Sequence, residues 1–186
     1  MTAKIKITRN DILEASFSLL RREGLQAVNA RNIANALSCS TQPIFSNFDS
    51  MKELHIALIN KANSLFEEFL KNEYNRDQYP PYKAYGMAYI RFAKEEKALF
   101  KLLYMRNRSD DLQAVELAIN TQMETVVMEN TNLDHEVAKL FHLEMWAFVH
   151  GIATMFATDY IDLDWEIVSK MLTDVYQGLR KRYNLE

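Results

Sequence analysis

Thr41, Gln42, Ser46 and Asn47 are uncharged hydrogen-bonding side chains, and Ile44 and Phe48 sit among them four residues apart. On a helix that spacing packs one side and leaves the other free to face base edges or phosphates. Arg31, near the start of the preceding helical stretch, is placed to reach a groove or a nucleic-acid backbone. The same pattern also suits a three-helix cap whose polar face only meets water.

A second set is aromatic. Tyr82, Tyr85, Tyr89 and Phe92 recur at three, four and three on one helix, and with Phe66, Phe69, Phe100, Tyr104, Met123, Trp146 and Met155 they could wall an apolar pocket. These residue types also build ordinary cores, and 10 Phe, 9 Tyr and 9 Met make both readings available. Glu144 and His150, flanked by apolar neighbours, are the polar positions suited to orienting a ligand. A third set is small: Ala147, Gly151, Thr154 and Thr158 fall at four, three and four, a stripe that lets another helix come close. With Val168, Leu172 and Val175 of the last helix it is assigned to a twofold dimer interface, the alternative being a crossing within one chain.

Catalytic and metal chemistry find little support. His135 and His142 lie seven apart on one helix, too far for a compact two-ligand clip, and no HExxH spacing occurs. Cys39 has Ser40 beside it but no nearby His to activate it. Gly24, Gly86, Gly151 and Gly178 lie apart, so no phosphate-cradling glycine loop can be written. No enzyme activity, metal or cofactor is expected.

The elements that position these residues follow from composition. A chain of 186 residues with 4 Gly and 3 Pro is short of turn formers, and all-α is the expected class. A single Cys suits a reducing compartment, and Met1 to Arg9 is polar and basic without an apolar segment behind it. The longest apolar, charge-free stretch, Met145 to Thr158, has 14 residues, below the roughly 20 that span a bilayer. A soluble, cytoplasmic protein without a membrane partner is expected. Residues 1 to 55 carry 7 Lys/Arg against 5 Asp/Glu and the remainder 15 against 20, a weakly basic head on an acidic body.

Thr8 caps a helix running to about Glu23, which Gly24 ends; Asn29 caps a second over Ala30 to Leu37. Ser40 caps the third, with Pro43 in its first turn, and Ser50 to Glu53 forms a capping box that opens a long helix reaching about Asn72. A polar loop over Asn75 to Pro81 precedes five more helical patterns, giving nine helices. One of the five is marked by Leu112, Val115, Ile119, Met123 and Val126. Two short helices joined by a tight turn and braced by a third are the arrangement of a helix-turn-helix reader.

The run Ile33-Ala34-Asn35-Ala36-Leu37-Ser38-Cys39-Ser40-Thr41-Gln42-Pro43-Ile44-Phe45-Ser46-Asn47-Phe48, followed by Ser50-Met51-Lys52-Glu53-Leu54, resembles the helix-turn-helix of the TetR family of bacterial transcriptional regulators. The likeness runs without a gap from about Thr8 to Leu58. Ser38 and Cys39 stand where the family usually has Gly and Val, Phe45 where it has Tyr, and Met51 where it tends to have Lys. Phe92-Ala93-Lys94-Glu95-Glu96 with Leu99-Phe100-Lys101, and Trp146-Ala147-Phe148-Val149-His150-Gly151, look like the subgroup whose C-terminal domain is named for its Trp, His and Gly.

The resemblance implies a nine-helix architecture, with a DNA-binding domain over residues 1–50 and an effector-binding and dimerisation domain over 51–186. It implies that Arg31, Thr41, Gln42, Ser46 and Asn47 approach the major groove, and that Ser40, Phe45 and Lys52 lie along phosphates, with Lys4, Lys6 and Arg9 as a mobile basic arm. The function implied is that of a homodimeric repressor on a palindromic DNA operator, released by a small apolar or aromatic effector. The alternative is a helical dimer that binds a ligand or a protein partner and has no specific operator.

Overall fold

The computed structural model describes residues 7–105 and 123–185. The described chain is helical throughout and contains no strand. In order come α1 (Arg9–Glu23), a single 3₁₀ turn (Leu25–Ala27), α2 (Ala30–Ala36), α3 (Gln42–Asn47), α4 (Met51–Asn75), α5 (Pro81–Glu95) and α6 (Lys97–Tyr104). The helical residues 123–131 are α7, followed by α8 (His135–Ala157) and α9 (Trp165–Arg182). Of the residues expected to mark the seventh pattern, Leu112, Val115 and Ile119 lie outside the described residues, and Met123 and Val126 lie on α7.

Packing divides the chain into two compact units. One gathers the residues up to Phe66 with those that begin at Glu96; the other gathers Glu67–Glu95 with the described residues from Met123 onward. α4 is one continuous helix that contributes to both.

In the first unit, α1 starts where the sequence says it must. The Thr8 hydroxyl accepts from the Asp11 N–H while the Asp11 carboxylate accepts from the Thr8 N–H at 2.8 Å, a reciprocal cap. Gly24 stops the helix with φ +83° and ψ 175°, a conformation an L side chain resists. Ile12, Phe17, Leu19 and Leu20 of α1, Ile33 of α2, Ile44 and Phe48 around α3, and Leu54 and Leu58 of α4 make the core. The third helix begins one residue later than expected. Thr41, not Ser40, occupies the cap position, and it makes no side-chain cap bond. Pro43 has no N–H to donate to the Thr41 hydroxyl there.

The second unit is built around α5 and α8, which pack along each other, with α9 crossing both. Ala84, Ala88 and Ala93 of α5 and Ala138, Ala153 and Ala157 of α8 are buried, small side chains that let the helices approach closely. α8 is long and apolar enough to cross a membrane by length and composition, more so than the 14-residue stretch suggested, yet 44% of its apolar window is buried inside the fold.

Candidate functional site

The helix-turn-helix sits in the first unit. α2 and α3 are joined by Leu37 to Thr41, where Ser38 takes a left-handed φ of +51° and the Cys39 N–H donates to the Ala34 carbonyl at 2.9 Å. Ser38 thus fills the turn position where glycine would be unstrained. Ile44 and Phe48 anchor α3 inward, at 0% and 1% exposure. That leaves Ser40, Thr41, Gln42, Phe45 and Ser46 on one exposed side, with Arg31 and Lys52 exposed at the starts of α2 and α4.

Two of the polar residues are partly committed to the backbone. The Ser46 hydroxyl donates to the Gln42 carbonyl at 2.9 Å, and the Asn47 amide donates to the Pro43 carbonyl at 2.8 Å, leaving Asn47 half-buried. Thr41 and Gln42 are the exposed hydrogen-bonders of α3 with no such local bond among the described residues. Phe45, 52% exposed, presents a large apolar ring to solvent on the same side.

Arg9 departs from the expected mobile arm. It is the first residue of α1, its guanidinium donates to the Asn47 carbonyl and to Glu53 at 2.7 Å, and it covers the Phe48 ring. It therefore pins the end of α3 to the start of α4. Lys4 and Lys6 lie outside the described residues. The Ser50 hydroxyl accepts from the Glu53 N–H at 3.2 Å as the capping box requires, but Glu53 accepts from the Asp49 N–H at 2.6 Å, not from Ser50. That bond, with Arg9 behind it, holds the Glu53 carboxyl below the ordinary range.

The second unit contains a cavity of about 450 Å³ between α5, α7, α8 and α9. Tyr82, Tyr85, Tyr89, Met145, Trp146 and Tyr176 supply its apolar body, and Lys83, Asn130, His142, Thr173, Gln177 and Arg180 its polar groups. Its volume falls in the range of small-molecule sites. The aromatic walls are held from behind. The Tyr89 hydroxyl shares a 2.9 Å hydrogen bond with Nδ1 of His150, and Trp146 stacks on the same imidazole at 4.8 Å and 16°. Tyr82 is bonded at 3.0 Å to Nδ1 of His142. Burial lowers the His142 pKa and raises those of Tyr82 and Tyr85, with Tyr176 adding to the shift of Tyr82 and Tyr74 to that of Tyr85. The imidazole and both phenols are neutral near pH 7.

Of the expected pocket residues, the cavity gathers Tyr82, Tyr85, Tyr89 and Trp146. Phe66, Phe100 and Tyr104 instead form an aromatic cluster in the first unit, with Tyr104 at 6.3 Å from Phe66 and 5.1 Å from Phe100. Phe69 and Phe92 meet edge to face at 5.3 Å within the second unit, where Phe92 is fully buried. Met123 is a core residue, and Met155 is 40% exposed. Glu144 accepts from the Tyr183 hydroxyl at 3.0 Å and sits 3.4 Å from Arg182, and His150 stands behind the wall. From the sequence, His142 is weighed only as a metal ligand and set aside on its spacing from His135, and Lys83 and Arg180 are passed over. The one available signal was Leu172, Thr173, Tyr176, Gln177 and Arg180 recurring on a single face of α9.

The small-residue stripe also divides. Ala147 and Thr158 are exposed and Gly151 half-exposed on the outer side of α8, beside Leu140 and Leu143 at 46% and 55% exposure. Val168 and Leu172 are buried within the chain at 0% and 3%, so they cannot form an intermolecular surface. Ile167, 47% exposed, and half-buried Met171 and Val175 are the apolar residues of α9 on its outer side.

Residues 82–175 match the family model described as tetracyclin repressor-like, C-terminal domain. The match bears on the family and not on the Trp-His-Gly subgroup. No curated protein matches the chain. Among solved structures, a TetR-like transcriptional regulator from Rhodococcus sp. RHA1 is 15% identical with a TM-score of 0.67, covering 93% of each chain. A TetR family protein from Vibrio parahaemolyticus is 17% identical with a TM-score of 0.64, covering 91% of this chain and 97% of its own. These likenesses establish the fold. With the family match spanning half of its length, this chain belongs to the TetR family of transcriptional regulators, DNA-binding proteins and not enzymes.

Proposed function

We propose that this protein is a homodimeric repressor that holds a palindromic operator through two copies of α3 and releases it when a small apolar or aromatic molecule occupies the cavity of the second unit. The observation that carries the reading is the two-sidedness of α3. Ile44 and Phe48 are buried while Thr41, Gln42, Phe45 and Ser46 are exposed, so the helix is anchored on one side and offers hydrogen-bonding groups on the other. On this reading Gln42 reads a base, since an amide can pair bidentately with adenine. Arg31, Thr41, Ser46 and Asn47 approach the groove, and Ser40, Phe45 and Lys52 follow phosphates. Residues 1–50 act as the reader and 51–186 as the effector-binding and dimerising part, working in the cytoplasm where operator DNA lies.

The dimer is assigned to the outer sides of α8 and α9, where Leu140, Leu143, Ala147, Gly151, Thr154 and Thr158 meet Ile167, Met171 and Val175 of a second copy. Coupling runs along α4. No described residue of α4 lines the cavity, so a ligand does not push it directly. α5 lines the cavity and is tied to the later part of α4 by the Phe69–Phe92 contact and by Arg91 donating to Glu73 at 3.2 Å. A displaced α5 would tilt α4 and with it the spacing of the two α3 helices. A nearly complete switch requires an effector preference of about 5.5 kcal/mol for the released state. Binding measured by fluorescence anisotropy tests the reading. Affinity should fall steeply with salt and keep a specific-to-nonspecific ratio of about 10³ or more. A ratio near unity would leave a ligand-binding dimer without an operator.

A further inference from the structure

The chemistry of the cavity is graded along its length. At one end, Gly86, Tyr89, Val149 and Leu172 are buried and apolar. At the other, Pro80, Pro81, Asn130 and Gln177 are exposed, with Arg180 half-exposed beside them. The antiparallel run of α5 and α9 fixes this polarity. Leu172 packs against Gly86, Thr173 accepts from the Lys83 ammonium at 2.7 Å, and Tyr176 meets Tyr82 at 5.9 Å, so the start of α5 lies beside the later turns of α9.

The charge of the lining has one sign. Among the described residues that line the cavity, Lys83 and Arg180 are cationic and none is acidic. Neither cation has a described carboxylate within ion-pair reach. Lys83 is bonded to a neutral hydroxyl and lies 4.8 Å from the centroid of the Tyr79 ring, and Arg180 gives Nε and Nη2 to the Leu185 carbonyl, neutral partners that leave both charges without a counter-ion. Elsewhere in this unit, four cations on the same helices are paired: Arg91 with Glu73, Lys94 with Asp162, Lys170 with Asp174 and Arg182 with Glu144. The first turn of α5, with its positive dipole end at Pro81, adds the same sign at the exposed end. Two uncompensated cations beside an aromatic chamber match an anion that carries an apolar body.

We infer that the cavity takes an amphipathic monocarboxylate, its head at the Arg180 end with Lys83 adding positive charge further in, and its flat or branched apolar body against Tyr85, Tyr89 and Trp146. The inference rests on the effector reading above and gives it a ligand class. One carboxylate suffices for the donors that remain, because both cations spend some of theirs on the protein. The guanidinium offers Nη1 and the ammonium its remaining protons.

Isothermal titration of the full chain with 2-naphthoate and octanoate, each against its neutral carboxamide, tests it. At least one carboxylate should bind about ten- to a hundredfold more tightly than its amide, and the gap should shrink to a few-fold in Arg180→Gln and narrow in part in Lys83→Met. Arg180→Gln removes a contact to the chain end only, and the wild-type acid-to-amide ratio stands independently should either variant misfold. Equal binding of acid and amide, a gap that survives both substitutions together, or no binding by either carboxylate would overturn the inference. Release of DNA by the compounds is scored separately. A carboxylate that binds without releasing operator keeps the ligand class and removes the effector reading, and release by neutral compounds alone does the reverse.

Discussion

The guanidinium carbon of Arg9 lies 3.8 Å from the centroid of the Phe48 ring, so a cation at the start of α1 lies over the aromatic anchor of the reading helix. Phe48 packs α3 from inside, and Arg9 closes over it while bonding the last carbonyl of that helix at Asn47. Arg9→Met should lower the melting temperature, the ring contact alone accounting for about 0.5–1 kcal/mol. It should also weaken DNA binding at unchanged sequence preference, because α3 loses its tether and not a base contact. Thermal denaturation with anisotropy measures both, and an altered base preference would mean that Arg9 touches bases.

Glu53 and Asp11 give the reader an acid limit. Glu53 is held low first by the Asp49 N–H and then by Arg9, Asp11 first by the Thr8 hydroxyl and then by the Thr8 N–H. Carboxyls with depressed folded pKa values stabilise above their unfolded values and lose that contribution as pH falls through the folded ones. Melting temperature should therefore drop below the ordinary carboxylate range, and Glu53→Gln should flatten that drop while lowering stability near neutrality. An unchanged acid slope in Glu53→Gln would remove the assignment.

His142 and Tyr82 should bound the stability of the second unit on both sides. Burial lowers the folded imidazole pKa, so stability is full above the ordinary histidine value and is lost as pH falls from there through the lowered one. Tyr82 is raised, so its contribution is present below the ordinary phenol value and is lost as pH climbs past it. Melting temperature against pH should show both flanks, with His142→Asn flattening the acid one and Tyr82→Phe weakening the alkaline one, to which Tyr85 also contributes.

Gly86 marks the deep end of the cavity. A Cβ there would meet Leu172 Cδ2 at 3.1 Å and Val149 Cγ2 at 3.5 Å. Gly86→Ala gains about 1 kcal/mol of helix propensity and asks the flexible end of Leu172 to shift by a few tenths of an ångström. Stability should change by less than about 1 kcal/mol while ligand affinity falls, because Leu172 also lines the cavity. Urea denaturation and calorimetry on one sample separate the two effects. A large loss of stability would mean that Leu172 cannot give way.

Leu143→Glu, on the exposed side of α8, should yield folded monomers that no longer hold a two-half-site operator, whereas Val168→Glu should fail to fold because Val168 is fully buried. Sedimentation and circular dichroism distinguish the two. A dimeric Leu143→Glu protein would move the interface elsewhere.

These residues also indicate what can be read from a sequence. The Thr8 cap, the Gly24 stop and the buried face of Ile12, Phe17 and Leu20 were legible because capping chemistry and helical periodicity are local. The role of α9 was not, since Val168 with Leu172 and Ile167 with Met171 are both apolar pairs at helical spacing, and only packing chooses which side turns inward. The cavity was half legible. Tyr85, Tyr89 and Trp146 fit an aromatic pattern, but Lys83 and Arg180 resemble ordinary surface cations until α5 and α9 bring them to one chamber. Arg9 resembled a basic arm for the same reason, its partners Asn47 and Glu53 being distant in the chain.

Selection of bound duplexes from a random DNA library tests the central claim most directly. The purified protein should enrich a palindrome whose half-sites lie one helical turn, about 34–36 Å, or a multiple of it apart, and Gln42→Ala should relax one base pair per half-site by about 1–3 kcal/mol. Lys52→Ala should weaken all sequences alike. A folded dimer that enriches no motif, or a Gln42→Ala protein with an unchanged sequence profile, would contradict the account of α3 as the reader.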